Sequence, residues 1–357
     1  MSAPLTGART APRLPVRPAT ALAAVRVRRR RSTGTRLAAA GAAVVVLFAV
    51  NVLLGSYTVT VPDFFRILAG ADIPGASFIV LENKLPRAVI GVLIGVAFGI
   101  AGSVFQTMLR NPLASPDIIG ISYGASASAV TAIVLFGAAG AAVSLSALAG
   151  ALAVAAAIYL VSRRGGVAGY RLILVGIGFA AVLHALVSFL ITRTDLRTAS
   201  EAVLWLGGSL NSSSWDRATV LALALVVLLP ATAVLSRSLQ GLELGDDAAA
   251  GLGVRVEASR LGLMSTAVAL AAVATAAAGP VASVAFLSGP IARRLLGNRP
   301  SLAMAALVGA VIVLAADFVA ANLVPGTSLP VGVVTGALGA PFLLWLLATA
   351  NRSGQGG

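Results

Sequence analysis

Apolar residues run along this chain in long blocks broken by short polar punctuation, with no sustained alternation. A helix crossing a bilayer needs about 20 consecutive apolar residues, whereas a strand of a membrane barrel alternates apolar and polar positions. Ten blocks fit the helical template, at about 37–57, 86–108, 117–136, 141–161, 171–192, 217–236, 260–279, 281–296, 302–323 and 331–350. The second is rich in glycine yet uncharged from Ala88 to Met108, and the fifth carries His184 between Leu183 and Ala185. Only Gly279-Pro280 separates the seventh from the eighth, which read as two helices or as one broken span. The pattern predicts an all-α polytopic membrane protein of about ten transmembrane helices, in one membrane domain over 37–350.

The polar punctuation is sided. Lys and Arg near span ends concentrate on the cytoplasmic face of membrane proteins. With ten spans and a cytoplasmic N-terminus, twenty of the 26 basic residues fall inside and six outside: Arg66, Lys84, Arg87, Arg193, Arg197 and Arg217. Both termini are therefore expected in the cytoplasm. Residues 1–36 are rich in Arg, Ala, Pro and Thr without apolar periodicity and read as a disordered basic tail; 351–357 reads as a second, short tail. The run Arg28–Arg31 ahead of an apolar block has the look of a twin-arginine export signal, but nine further blocks favour an uncleaved first span.

Composition narrows the chemistry. The 357 residues are 58% hydrophobic and 11% charged, against about 25% charged in a typical soluble domain, too few charges to cover a soluble surface. With no Cys and one His, there is no disulfide framework, zinc knuckle, thiol nucleophile or multi-His metal site. The formal net charge of +14 invites a nucleic-acid reading, yet the basic residues sit in short loops beside spans with no interleaved aromatic platform, so nucleic acid is not an expected partner. The single lysine, Lys84, lies in Glu82-Asn83-Lys84-Leu85-Pro86. A nucleotide-binding P-loop needs G-x-x-x-x-G-K-[ST], with its Lys on the phosphates. This chain cannot hydrolyse ATP by that route, so an ATP motor would be a separate chain. It also offers a bare metal ion no soft ligand set, which favours a cargo that brings its own ligands.

Four stretches depart from generic lipid-facing helix. In 84–126, Gly91, Gly95 and Gly99 recur every four residues, a small-residue face that lets another backbone approach. Gln106 follows, then Asn111-Pro112 and Pro116-Asp117 interrupt the chain before Gly120 and Gly124 open a second small face. Such interrupted backbone at membrane depth must be buried in protein or line a cavity. The segment 237–260 is the largest inner loop and holds Glu243, Asp246, Asp247 and Glu257; the two aspartates precede an Ala-rich run ending at Gly251-Leu252-Gly253. That is a short helix with an acidic start and a Gly stop, either a solvated connector or a docking element. In 279–299, two Gly-Pro pairs bracket a short apolar run followed by Arg293-Arg294, a short or broken helix. In 317–341, Asp317 is an ionisable residue within a block, a functional candidate or an acid satisfied by its neighbours, and Gly332 and Gly336 form another packing face. His184 reads as a helix–helix hydrogen bond, and Trp205 and Trp215 as an interfacial aromatic belt.

At these four stretches the sequence resembles the FecCD-type permeases, the type II importer permeases of ABC systems for iron–siderophores, haem and vitamin B12. The matching strings are LPR (85–87), NPLASPDIIGIS (111–122) with Gln106 upstream, LELGDDAAAGLGV (242–254), GP (279–280), IARRLLG (291–297) and LPVGVVTGALGAPFLLWLL (329–347). Within that family it is most similar to permeases for ferric siderophores of the enterobactin type. The resemblance implies the type II importer permease fold in the plasma membrane, paired with an identical or homologous second permease. It also implies two cytoplasmic ATPase subunits, which carry the ATP and Mg, an extracytoplasmic binding protein or lipoprotein, and a ferric siderophore as cargo. The chain itself would be a transport subunit rather than an enzyme, with no cofactor of its own.

By the same resemblance, Leu242, Leu244, Gly245, Asp246, Asp247, Ala250, Leu252 and Gly253 form the ATPase-coupling element at about 239–258, and Lys84 and Arg87 dock the binding protein. Gly91, Gly95, Gly99, Gln106, Asn111, Pro112, Asp117, Gly120, Asp317, Gly332 and Gly336 serve packing or the pathway. Three positions depart from the family pattern: Lys84 stands where Arg is usual, Gly289-Pro290 replaces a Pro followed by His or Gln, and Ala321 stands where some members carry a further docking Arg. The alternatives are a haem or cobalamin permease, or an ion-coupled secondary transporter. The latter would need intramembrane acids as relays, for which Asp317 is the one mid-block candidate. A membrane-embedded enzyme lacks a nucleophile–base set.

Overall fold

The computed structural model describes residues 19–117, 119–162, 169–323 and 328–353. The described residues are all helical or irregular, without strands. Each expected block contains a helix: α1 (Ala19–Leu53), α4 (Leu85–Met108), α5 (Ile121–Phe136), α6 (Ala141–Ser162), α7 (Gly169–Arg193), α9 (Trp215–Glu243), α11 (Val256–Ala278), α12 (Val284–Leu295), α13 (Leu302–Asn322) and α14 (Val331–Ser353). Short connectors lie between them: α2 (Val61–Leu68), α3 (Ala76–Phe78), α8 (Leu196–Leu206) and α10 (Asp246–Gly251). A π-helical turn, Ile79–Lys84, joins α3 to α4. Among the described residues, seven helical segments are long and apolar enough to cross a bilayer, and α5 and the Val331–Leu346 part of α14 are shorter apolar helices.

Two expectations are corrected. The segment 281–296 is not a span: α12 has 12 residues, about 18 Å at 1.5 Å per residue, and from Val284 to Pro290 it is buried inside the bundle. Gly279, at φ 75°, and Ser283, at φ 66°, turn the chain sharply before it, conformations that a continuous helix cannot contain. The 1–36 segment is not wholly without structure, because α1 begins at Ala19, eighteen residues before the first apolar block. Alanine and arginine are strong helix formers, so an Ala/Arg-rich lead can continue a span without apolar periodicity. Residues 1–18 lie outside the described residues, as do Arg163 and Arg164 of the inner-loop count, Ile118 of the 111–122 motif and residues 354–357 of the C-terminal tail; 351–353 continue α14.

Helix α4 is the hub. It packs against α13, α11, α12, α9 and α1. The glycine face explains why two neighbours come so near. A Cβ on Gly95 would stand 2.6 Å from the Cα of Ala310, and one on Gly99 would enter the carbonyl oxygen of Ala305. Rising numbers on α4 meet falling numbers on α13, so the two helices run antiparallel. Gly91 is looser, meeting only side chains such as Leu314 at 3.3 Å. Gly102, three residues past Gly99 and missed in the sequence, is the tightest of the set: a Cβ there would be driven into the backbone carbonyl of Ala285 on α12. Among the described residues, the starts of α2, α8, α9 and α13 carry side-chain caps. Asp195 accepts the Thr198 N–H at 3.0 Å at the head of α8, and that bond holds its carboxyl below the usual range.

Candidate functional site

Three places collect the polar side chains of an otherwise apolar bundle: its two ends and one cavity between them.

At one end, Arg87 on the first turn of α4 meets Asp317 near the end of α13. Nε donates to Oδ2 at 2.9 Å and Nη2 to Oδ1 at 2.8 Å, the two-pronged geometry that arginine makes with a carboxylate. Nη1 donates to Asn211 Oδ1 at 2.8 Å, in the α8–α9 connection, and Ser328 Oγ donates to the same oxygen at 3.0 Å. The Asp317 side chain is 2% exposed and that of Arg87 19%. Asp317 is thus no solitary mid-membrane acid, as its place within an apolar block had implied. It lies five residues from the end of α13 and is neutralised by Arg87. Spacing along one helix could not reveal a partner 230 residues away. Lys84 lies beside this end, its ammonium donating to the carbonyls of Leu54 and Tyr57. Both proposed docking cations are therefore engaged within the chain. Trp215 donates to the carbonyl of Leu81 at 2.7 Å, and so also acts as a tie.

At the opposite end, α10 projects between α9 and α11. Leu242, at 1% exposure, roots the element in the core, and Gly245, at φ 112°, turns the chain into α10. Asp246 is paired with Arg260 of α11 at 2.9 Å and lies 3.7 Å from Arg110, just past α4. Asp247 and Ala250 are exposed, as is Gly253 after the helix. Leu244 and Leu252 are 68% and 66% exposed. Next to α10, Arg293 of α12 donates to Thr107 of α4 at 2.8 Å and pairs with Glu243 at the end of α9 at 3.4 Å. Arg294 stacks on Trp345 of α14, 3.7 Å from the ring centre. Charge pairs therefore join α10 to α11 and to Arg110 after α4, and a separate pair joins the end of α9 to α12. The sequence showed these residues only as loop charges; their pairing needs the fold.

Between the ends lies a cavity of about 680 Å³, walled by α5, α7, the chain before α5, the α11–α12 turn, α12 and α14. Asp117, Ser122, Tyr123, His184, Phe286 and Gly336 are among its lining residues. Ser122 donates a short hydrogen bond to Asp117 Oδ1, while Oδ2 is buried with no partner among the described residues. His184 makes an edge-to-face contact with Tyr123, ring centres 6.0 Å apart, and among the described residues this ring contact stands where a helix–helix hydrogen bond was expected. Gly336 does not pack tightly: a Cβ there would meet Ala282 at an ordinary 3.7 Å. Gly332 does, pressed on the Gly207 carbonyl, and Gly120, at φ 91°, lets the chain turn into α5 beneath Gly176. Asn111 accepts the Leu113 N–H at 2.9 Å, which closes the turn around Pro112. Tyr123 and Ser126 escaped notice in the sequence, although a tyrosine in the small-residue run ISYGASAS was a visible anomaly.

Gln106 and the Gly289 departure explain each other. Gln106 is buried and its Nε2 donates to the Phe286 carbonyl of α12 at 3.0 Å. A Cβ at Gly289 would collide with Gln106 Oε1, so glycine at 289 leaves room for Gln106 in this orientation.

Comparison with known proteins agrees with this geometry. Residues 43–349 match the FecCD transport family. The ferric enterobactin transport system permease protein FepG of Escherichia coli (strain K12) is 41% identical over 84% of this chain and 91% of its own length. The Fe(3+)-citrate import system permease protein YfmE of Bacillus subtilis (strain 168) is 34% identical over 86% and 93%. A solved inward-facing structure of an ABC transporter assigned to the metal-chelate type superposes with a TM-score of 0.77 at 26% identity, covering 88% of this chain and 98% of that one. These relatives are transport permease subunits, and the fold is that of an ABC transporter permease. With the match running through nearly every membrane helix described above, this multi-pass membrane protein belongs to the FecCD transport family.

Proposed function

We propose that this chain is the transmembrane permease subunit of an ATP-binding-cassette importer that carries a ferric–siderophore chelate across the plasma membrane, with both termini in the cytoplasm. It pairs with a second permease, identical or homologous. Two ATPase subunits bind the cytoplasmic face and supply the ATP chemistry that this chain lacks, and an extracytoplasmic binding protein delivers the chelate. The observation that carries this reading is the α10 element. An acidic short helix flanked by two leucines, each about two-thirds exposed, stands at an otherwise basic end of the bundle. Exposed leucines rimmed by charge mark a protein-contact surface. Asp246 ties that surface to Arg260 of α11, and Glu243 at the end of α9 ties its root to Arg293 of α12.

The ion-coupled reading loses support, because Asp317 is committed to Arg87 instead of standing free as a relay. The choice of a siderophore rests on the relatives: FepG is named for ferric enterobactin and YfmE for ferric citrate.

The reading is tested by uptake of radiolabelled ferric chelates into proteoliposomes that hold the complete importer. Uptake is expected to require ATP inside and an intact ATPase. Uptake that survives ATPase inactivation and collapses with the proton gradient would reject it. At the contact itself, Leu244→Asp with Leu252→Asp, or Asp247→Lys, is expected to weaken ATPase co-purification at least tenfold, since a carboxylate placed at an apolar contact would be desolvated without a partner. Asp246→Lys should act differently, by loosening α10 from Arg260. Undiminished co-purification of the double leucine variant would remove α10 from the interface.

A further inference from the structure

Helix α2 is apolar on a side that does not pack on the bundle. Its eight residues close largely by themselves. Thr60 Oγ1 accepts the Asp63 N–H at 3.2 Å, Pro62 has no N–H to satisfy, and the Ala69 N–H returns to the Phe65 carbonyl at 3.0 Å. At 3.6 residues per turn, Val61, Phe65 and Leu68 fall within about 60° of one another. All three are exposed, Phe65 at 63%. Asp63 and Arg66 fall on the opposite side, 3.5 Å apart. Phe64 and Ile67 lie between those two sides and face the bundle. Ile67 is buried in a small cluster with Val52 of α1, Val59, Val80 and Leu85, and Phe64 packs against that cluster. The helix therefore has one protein side and two free sides, one apolar and one charged.

The chain fixes the height of α2 along the bundle. The Val59 N–H donates to the Leu53 carbonyl at 2.8 Å, so α2 starts beside the last residue of α1. Lys84 donates to the carbonyls of Leu54 and Tyr57, which brings the start of α4 to the same level. Two segments long and apolar enough to cross a bilayer thus end where α2 begins. Among the described long apolar helices, α1 is the least buried. Its exposed apolar surface, which includes Val45 and Val46, continues along the chain through Leu54 and Tyr57 into the stripe on α2.

We propose that α2 is an interfacial anchor. It lies in the plane of the membrane surface at this end of the bundle, with Val61, Phe65 and Leu68 at the boundary between headgroups and acyl chains and with Asp63 and Arg66 toward water. A helix with Phe and Leu opposite a charged face settles at that boundary, its apolar side about 5–10 Å deep. A soluble partner arriving from the water side would meet Asp63 and Arg66, so the occupant of the apolar stripe is lipid. Seated in this way, α2 holds the connection gripped by Lys84 at a constant depth, close to the Arg87–Asp317 pair. The inference goes beyond the import reading and does not depend on the cargo.

The chain has no cysteine, so one introduced cysteine carries the only nitroxide on it. Phe65→Cys and Arg66→Cys are labelled and reconstituted into liposomes with cysteine-free versions of the partner subunits. Relaxation of the nitroxide is measured with oxygen, which concentrates in lipid, and with a nickel chelate, which stays in water. At position 65, collisions with oxygen are expected to exceed those with the nickel chelate by about threefold or more, and at position 66 the order reverses. Adding the binding protein leaves the signal at 65 unchanged. Three results would overturn the inference: nickel access at 65 equal to or above oxygen access, exclusion of both probes there, which means a protein covers the stripe, or loss of oxygen access when the binding protein is added. A lipid-facing label at 66 would overturn the orientation as well. Co-purification with the ATPase reports folding of each variant, and Leu68→Cys, on the same stripe, gives the reading should Phe65→Cys fail to assemble. Chelate uptake is measured separately, so failure of the import reading and failure of the anchor are distinct results.

Discussion

Asp317→Ala is expected to lower the stability of the purified protein by about 3 kcal/mol, read as a fall of several degrees in its thermal midpoint in detergent. The physical reason is asymmetry. Removing one partner of a buried ion pair leaves the other charge uncompensated, which costs about 3–5 kcal/mol when both are fully buried. Arg87 retains 19% exposure and a further bond to Asn211, which places the cost at the lower end. Arg87→Ala should be about as damaging, because Asp317 is the more deeply buried of the two. The reversed pair, Arg87→Asp with Asp317→Arg, should recover part of the loss, and failure of both singles to destabilise would show that the pair ties nothing together. The same variants separate two roles of Arg87. If it also docks the acidic surface of a binding protein, the reversed pair restores stability without restoring docking. If it is only the tie between α4, α13 and the α8–α9 connection, docking returns with stability, and Lys84 becomes the cation to replace.

Gly102→Ala is expected to be the most disruptive single methyl group in the molecule. Its Cβ would be forced into the Ala285 carbonyl, a backbone atom that no rotamer change can move aside. Overpacking of this kind costs about 1–3 kcal/mol where the surroundings can give, and more where they cannot. To accommodate it, α12 must shift as a unit, and α12 carries Phe286 into the cavity and Arg293 and Arg294 to the charged end near α10. Chelate uptake is therefore expected to fall at least tenfold even where the protein still assembles with its ATPase. Gly91→Ala supplies the contrast. Its new methyl meets only the Leu314, Leu210 and Val313 side chains, 3.3 Å away at the nearest, and should leave uptake within about twofold. Equal effects at the two positions would mean that backbone contact between α4 and α12 does not control the pathway.

The helices themselves were legible because a bilayer imposes a length and an apolar content that a sequence cannot disguise. All ten blocks contain a helix, and the Gly95–Gly99 face was readable because four-residue spacing puts small residues on one side. Gly102 continues that face by the i,i+3 step and could have been read with it. The 242–254 element was visible as a short acidic helix with a Gly stop, and its eventual neighbours were not.

What failed to show in the sequence is whatever depends on distance through space. The apolar block at 281–296 has the composition of a span, but positive φ angles at Gly279 and Ser283 set it inside the bundle as a buried half-helix. Asp317 looked like a lone membrane acid until Arg87 was found across α4 and α13. Asp246 looked free until Arg260 closed on it. Tyr123 and His184 share a wall only because α5 packs on α7. By itself, then, the sequence determined the solvent of this protein, the places of its long apolar helices, and the absence of a P-loop lysine, all of which follow from local composition and period. The tertiary structure alone decided which charges are neutralised, which glycines are indispensable and which rings face a cavity. Each of these is a contact between residues far apart in the chain, and no local pattern encodes it.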